Sequence, residues 1–202
     1  MKLNLSLKRP VGSAVNGGDW SCKNIEICLM KLSYRKIKYP RLEYKTGDLN
    51  LILPYGKEPK ELLVKYSEWI KGKELFIKKA LAESKKKKLH NRDLNELKKL
   101  VCSLIKIYSI ELGVFSERVV FRNMNSKWAS CSKYGNLVFN TDMKYLQKKL
   151  ISYIVFQEMV HMISRKHSAK FWEVISSKFE NHKKLERELF VCWFKIRMKI
   201  KE

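Results

Sequence analysis

Phe156-Gln157-Glu158-Met159-Val160-His161, with His167 six residues further on, is the stretch on which the reading of this chain turns. On a helix, residues four apart lie one turn above each other, so Gln157 and His161 share a face and Glu158 stands beside it. A short break at Ser164-Arg165-Lys166 lets His167 swing back toward the same point. The pattern is one letter away from H-E-x-x-H, in which two imidazoles on one helix face hold zinc and a glutamate sits beside the metal-bound water. Gln157 occupies the place of the first histidine. Two imidazoles and one further donor would leave a coordination position open for water, whose pKa falls toward ~7, and Glu158 would accept its proton. An E-x-x-H pair alone is a weak signal, because glutamate is common in helices and most buried histidines are satisfied structurally. Its neighbours have to decide.

Working outward, Thr141 or Asp142 is placed to cap a long helix that carries this stretch to Ile163 or Ser164. Ser168 caps a further helix with Phe171, Trp172, Ile175 and Phe179, and a last amphipathic helix covers residues 184–199. Upstream, residues 118–122 and 136–140 read as two strands, the second entered from a turn at Tyr134-Gly135. Asp93 is a cap for a helix whose stripe of Leu94, Leu97, Val101, Leu104, Ile105 and Tyr108 ends at Gly113. Leu62, Leu63, Tyr66, Trp69 and Ile70 start a helix after Pro59 that reaches Ser84, with an interruption expected at Gly72. Further upstream, Ile25, Ile27 and Leu29, the run 34–45, and residues 49–53 after a turn at Thr46-Gly47-Asp48 read as strands.

Beyond periodicity, four segments carry a resemblance. Lys127-Trp128-Ala129-Ser130-Cys131-Ser132, Gly135-Asn136-Leu137-Val138-Phe139-Asn140, the helix segment 153–161, and His167-Ser168-Ala169-Lys170-Phe171-Trp172 are similar, in order and spacing, to the YgjP-like metallopeptidases. These are metal-dependent hydrolases related to the SprT-like and WLM proteases. The likeness extends in weaker form to residues 36–54 and 62–69. It implies an α+β, zincin-like (minigluzincin) metallopeptidase fold over residues 22–202. That domain would comprise a β-rich lobe (22–56), a helical connection (57–113) and an active-site unit (114–202), preceded by a flexible arm (1–21). The resemblance further implies zinc ligands at positions 157, 161 and 167, Glu158 as general base, and a peptide or protein substrate. It makes Leu137, Val138 and Phe139 an active-site edge strand to which an extended substrate adds by backbone hydrogen bonds.

Three letters depart from the family pattern: Gln157 for the first ligand, Lys127 for an arginine, and Ala129 for a glycine. An amide oxygen is a poorer zinc donor than imidazole. Three outcomes therefore stay open: weak zinc, another metal, or a metal-free site. His182 has no spacing that marks it as a substitute ligand. Trp128, Cys131, Phe171 and Trp172 read as packing around the site, and Tyr153 as core or as a supporting hydroxyl.

Composition bounds the rest. With 43 Lys+Arg against 20 Asp+Glu, the formal charge is +23, which suits a polyanion such as nucleic acid but equally reports non-specific attraction. The Lys85-Lys86-Lys87-Lys88 run needs no ligand to explain it, since lysines suit a helix C-terminus. The five cysteines, Cys22, Cys28, Cys102, Cys131 and Cys192, form no C-x-x-C pair; reduced thiols in a cytoplasmic protein are expected. No apolar run approaches the ~18 residues of a membrane span. Two readings follow: a zinc-dependent peptidase or amide hydrolase that acts near nucleic acid, or a non-catalytic basic descendant that binds peptide or nucleic acid.

Overall fold

Leu49, Leu51 and Leu53 recur at every second position and are fully buried, the period of a strand whose one face meets a core. They lie on β4 (Asp48–Leu53), an inner strand of a four-stranded sheet. Its antiparallel neighbour β3 (Arg41–Lys45) sets Leu42 opposite Leu51, and β2 (Lys31–Tyr34) runs parallel on its other side. β1 (Asn4–Ser6) pairs antiparallel with β3, so three residues of the segment expected to be an arm form a strand. The computed structural model describes residues 4–6, 31–45 and 48–199. The expected strand at Ile25, Ile27 and Leu29, the rest of the arm, the turn residues Thr46 and Gly47, and Cys22 and Cys28 lie outside them.

The expected strand over 34–45 is broken. The Ile37 N–H turns back to the Arg35 carbonyl (2.8 Å), and Pro40 has no N–H to offer a ladder. α1 (Pro59–Lys65) begins with proline in its first turn. The interruption expected at Gly72 falls at Tyr66 instead, and α2 (Ser67–Lys86) runs through Gly72.

The described residues divide into two compact units, the first ending at Ala82 and the second beginning at Glu83. α3 (Leu94–Leu112) belongs to the second unit. Its start is fixed by a reciprocal capping box: the Asp93 side chain accepts from the Glu96 N–H, and the Glu96 side chain from the Asp93 N–H. It ends at Gly113, whose φ of 65° is the left-handed conformation that glycine adopts freely. The stripe Leu97, Val101, Leu104, Ile105 and Tyr108 is buried.

α3 packs on α4 (Lys148–Ile163), where the Tyr108 ring meets Phe156 edge-on at 5.1 Å and its hydroxyl bonds Ser152 Oγ at 2.6 Å. The long helix starts later than expected. A 3-10 turn over Thr141–Tyr145 comes first, with Asn140 Oδ1 accepting from the Asp142 N–H; Leu146 is then extended, and Gln147 precedes α4.

The second sheet has the order β5-β7-β6. β5 (Val119–Arg122) runs parallel to β7 (Leu137–Asn140), and β6 (Ala129–Cys131) antiparallel to it. Trp128, just before β6, is fully buried and meets Trp193 edge-on at 4.9 Å. α5 (Ala169–Lys178) and α6 (His182–Lys199) complete the unit. The whole is α+β. Among the described residues, no helix is long and apolar enough to cross a membrane.

Candidate active site

α4 is apolar around its whole circumference: Leu150, Ile151 and every residue from Tyr153 to Val160 are buried. A helix of this kind is held by packing on all sides, so the two polar residues within that run stand out. Gln157 is 1 % exposed and Glu158 2 %. Burying polar side chains costs free energy unless something binds them. Neither Gln157 Oε1 nor Gln157 Nε2 has a hydrogen-bond partner among the described residues.

The last turn of α4 carries His161, and the chain then bends. The Ser164 N–H still donates to the Val160 carbonyl (2.8 Å). Ser164 Oγ donates to the Lys166 carbonyl and contacts Ser168 Oγ, both at 3.1 Å, while Ser168 accepts from the Phe171 N–H to cap α5. This bend returns His167 to His161. Their Nε2 atoms lie 3.3 Å apart, the rings stack at 5.0 Å, and Phe171 stacks on His161 at 4.7 Å and lies tilted against His167 at 4.6 Å.

His161 Nδ1 lies 3.2 Å from the Ser164 carbonyl. A carbonyl only accepts, so Nδ1 carries the proton and Nε2 presents its lone pair. Burial pushes both imidazoles below their ordinary range; nearby Glu158 opposes this at each, and His161 adds to it at His167. The neutral form, the one that ligates metal, is thus favoured.

These residues fit a divalent ion. Two Zn–N bonds of about 2.0–2.1 Å at a tetrahedral angle separate their nitrogens by roughly 3.3–3.4 Å, as the two Nε2 atoms are. One turn before His161, Gln157 offers an amide with both atoms unpartnered. The fit is to two imidazoles and an amide: among the described residues no group of three His, Cys, Asp or Glu could hold a metal. His182 does not join them; it stacks on Trp172 at 5.2 Å, and Trp172 in turn contacts His167 at 5.5 Å.

The edge-strand assignment is corrected. β7 is the central strand, so the backbone of Leu137, Val138 and Phe139 is already paired on both sides, and Leu137 and Phe139 are core. Among the described strands of this sheet, β6 and β5 are the outer ones. β6 is the one beside the site: it packs on α4. At its end, Cys131 is pushed up by burial and by the charge of Glu158, and drawn down by Arg165.

Tyr153 is buried, and its hydroxyl donates to Glu186 Oε1 at 3.2 Å. Arg165 was legible in sequence only as part of the break after α4. Its two Nη atoms donate to the carbonyls of Ser132 and Lys133 in the β6–β7 turn. Backbone carbonyls leave no mark in a sequence, so nothing could have pointed to that pairing.

Comparison with known proteins gives one family match and two structural likenesses. A profile described as YgjP-like, metallopeptidase domain, matches residues 39–190. Two solved structures resemble the chain. The metallopeptidase zymogen abylysin of Pyrococcus abyssi is 25% identical over 44% of this chain and 90% of its own, with a TM-score of 0.41. The metallopeptidase zymogen jannalysin of Methanocaldococcus jannaschii is 25% identical over 50% of this chain and 96% of its own, with a TM-score of 0.40. No curated protein matches.

Proposed function

The chain belongs to the YgjP-like metallopeptidase family, and from that premise we propose that it is a metal-dependent peptidase or amide hydrolase. In this reading His161, His167 and Gln157 hold the ion, and Glu158 is the general base. The observation that carries it is the 3.3 Å approach of two imidazole nitrogens beside a buried carboxylate. Zinc is the expected ion. When bound, it would polarise the scissile carbonyl and lower the pKa of water.

The chain's own residues supply the rest. Glu158, 2 % exposed, takes the proton of the attacking water and returns it to the leaving amine. In this reading an extended peptide runs along β6, the outer strand that packs on α4, rather than along β7. Phe171, in contact with both imidazoles, restricts their planes.

The second reading, a binding module without catalysis, is favoured by Gln157, a neutral amide where an imidazole would bind far better. Metal content separates the two. The protein purified without a histidine tag should carry zinc, and Gln157→His should hold it more tightly. Sub-stoichiometric zinc with no gain in Gln157→His would leave only the binding module. Glu158→Gln should retain the metal while hydrolysis of labelled casein drops by about 10²-fold or more. The +23 charge supports non-specific attraction to nucleic acid, whose affinity should then fall steeply with salt.

A further inference from the structure

We propose that Arg165 is a positioning residue that locks the bend bearing His167 to the β6–β7 turn, so that both move as one body. The proposal rests on the peptidase reading above for its purpose, and on hydrogen bonds alone for its geometry.

Two segments meet at this guanidinium. The first is the bend over residues 164–168, closed by Ser164 Oγ on the Lys166 carbonyl and Ser168 Oγ, and by the Ser168 N–H on the Lys166 carbonyl (2.8 Å). The His161 ring is tied into the same bend through the Ser164 carbonyl. The second is the turn between β6 and β7, folded about Ser132. Ser132 Oγ accepts from the N–H groups of Tyr134 (3.2 Å) and Asn136 (3.1 Å), the Ser132 N–H donates to the Asn136 carbonyl (2.9 Å), and Gly135 takes a φ of 77°.

Each segment is closed upon itself, and Arg165 bridges them by donating from one Nη to the Ser132 carbonyl and from the other to that of Lys133. The planar fork of arginine takes two adjacent carbonyls at once; the single ammonium of lysine is a point donor and has no such reach. Cys131, the last residue of β6, lies within the field of both Arg165 and Glu158. His167 keeps a fixed place beside His161 only while the bend and the turn do not slide past each other. Positional errors of about 1 Å in such a geometry cost on the order of 10²-fold in rate.

The test compares Arg165→Ala, Arg165→Lys and Lys133→Ala, the last removing a nearby exposed charge while keeping the backbone carbonyl. Amide hydrogen exchange is followed over residues 132–136 and 164–168, and Co2+ binding by its visible absorption. Arg165→Ala should melt within a few degrees of the parent, yet exchange about 10-fold faster in both segments and bind Co2+ about 10-fold more weakly, the scale of a lost ligand-orienting contact. Arg165→Lys should not rescue it, and Lys133→Ala should match the parent. Exchange that quickens in the turn alone, or full rescue by lysine, overturns the coupling. If the parent itself shows no Co2+ spectrum, the metal reading fails, and the paired exchange rates still decide the clamp.

Discussion

Replacing Gln157 with methionine should stabilise the metal-free protein. The side chain is 1 % exposed, and neither amide atom has a partner among the described residues. An unsatisfied buried polar group costs about 1–3 kcal/mol, and exchanging it for an apolar group of the same shape recovers that cost. Methionine nearly matches glutamine in length and adapts to irregular space, and a volume-conserving swap costs under about 1.5 kcal/mol. The expected balance is a gain of about 1–2 kcal/mol. For chains of about 150–250 residues, each kcal/mol moves Tm by roughly 2–4 °C, so the melt followed by circular dichroism in EDTA should rise by roughly 2–8 °C. Added zinc should reverse the order. A ligand at one hundred times its Kd adds about 2.7 kcal/mol to the state that binds it, and Gln157→Met should lose most of that increment. A methionine variant that melts below the parent in EDTA would show that the amide is satisfied, and the reasoning from its isolation would fall.

Other substitutions test neighbouring parts of the unit. Burial pushes the Glu186 carboxyl up, and the bond from Tyr153 opposes this. The folded protein therefore keeps a proton that the unfolded chain releases, and stability declines as pH rises from the unfolded value through the folded one. Glu186→Gln removes that slope, so its urea midpoint relative to the parent should be higher at pH 7 than at pH 4. Trp128→Ala empties a fully buried site against Trp193 and should cost about 3–5 kcal/mol, read as a lower urea midpoint with an unchanged slope.

Much of the second unit was legible because its signals are local. Asp93, Gly113 and Ser168 mark helix ends through their own side chains or lack of one, and the α3 stripe repeats with the helical period. The break after α4 allowed His167 to return toward His161, and the family resemblance singled the two out. The errors have a different origin. β6 is three residues long, too short for alternation to register, so nothing in the sequence set an outer strand against the edge position that the resemblance implied for residues 137–139. The start of α4 was misplaced because Thr141 and Asp142 read as helix caps, whereas they lie inside a 3-10 turn that Asn140 caps. The isolation of the Gln157 amide and the reach of Arg165 depend on atoms distant in the chain, which no pattern along it encodes.

The encasement of α4 separates two routes by which the site can fail. Gln157 and Glu158 lie in its buried run, so disturbing their placement means parting the helix from everything around it, and loss of function by that route is cooperative with melting of the unit. His167 belongs to an exposed bend held by a few hydrogen bonds, and can be lost while the unit stays folded. Inactivation by heat and inactivation by chelator should therefore leave different residues behind: a scrambled core in the first case, and in the second an intact body with one histidine turned away.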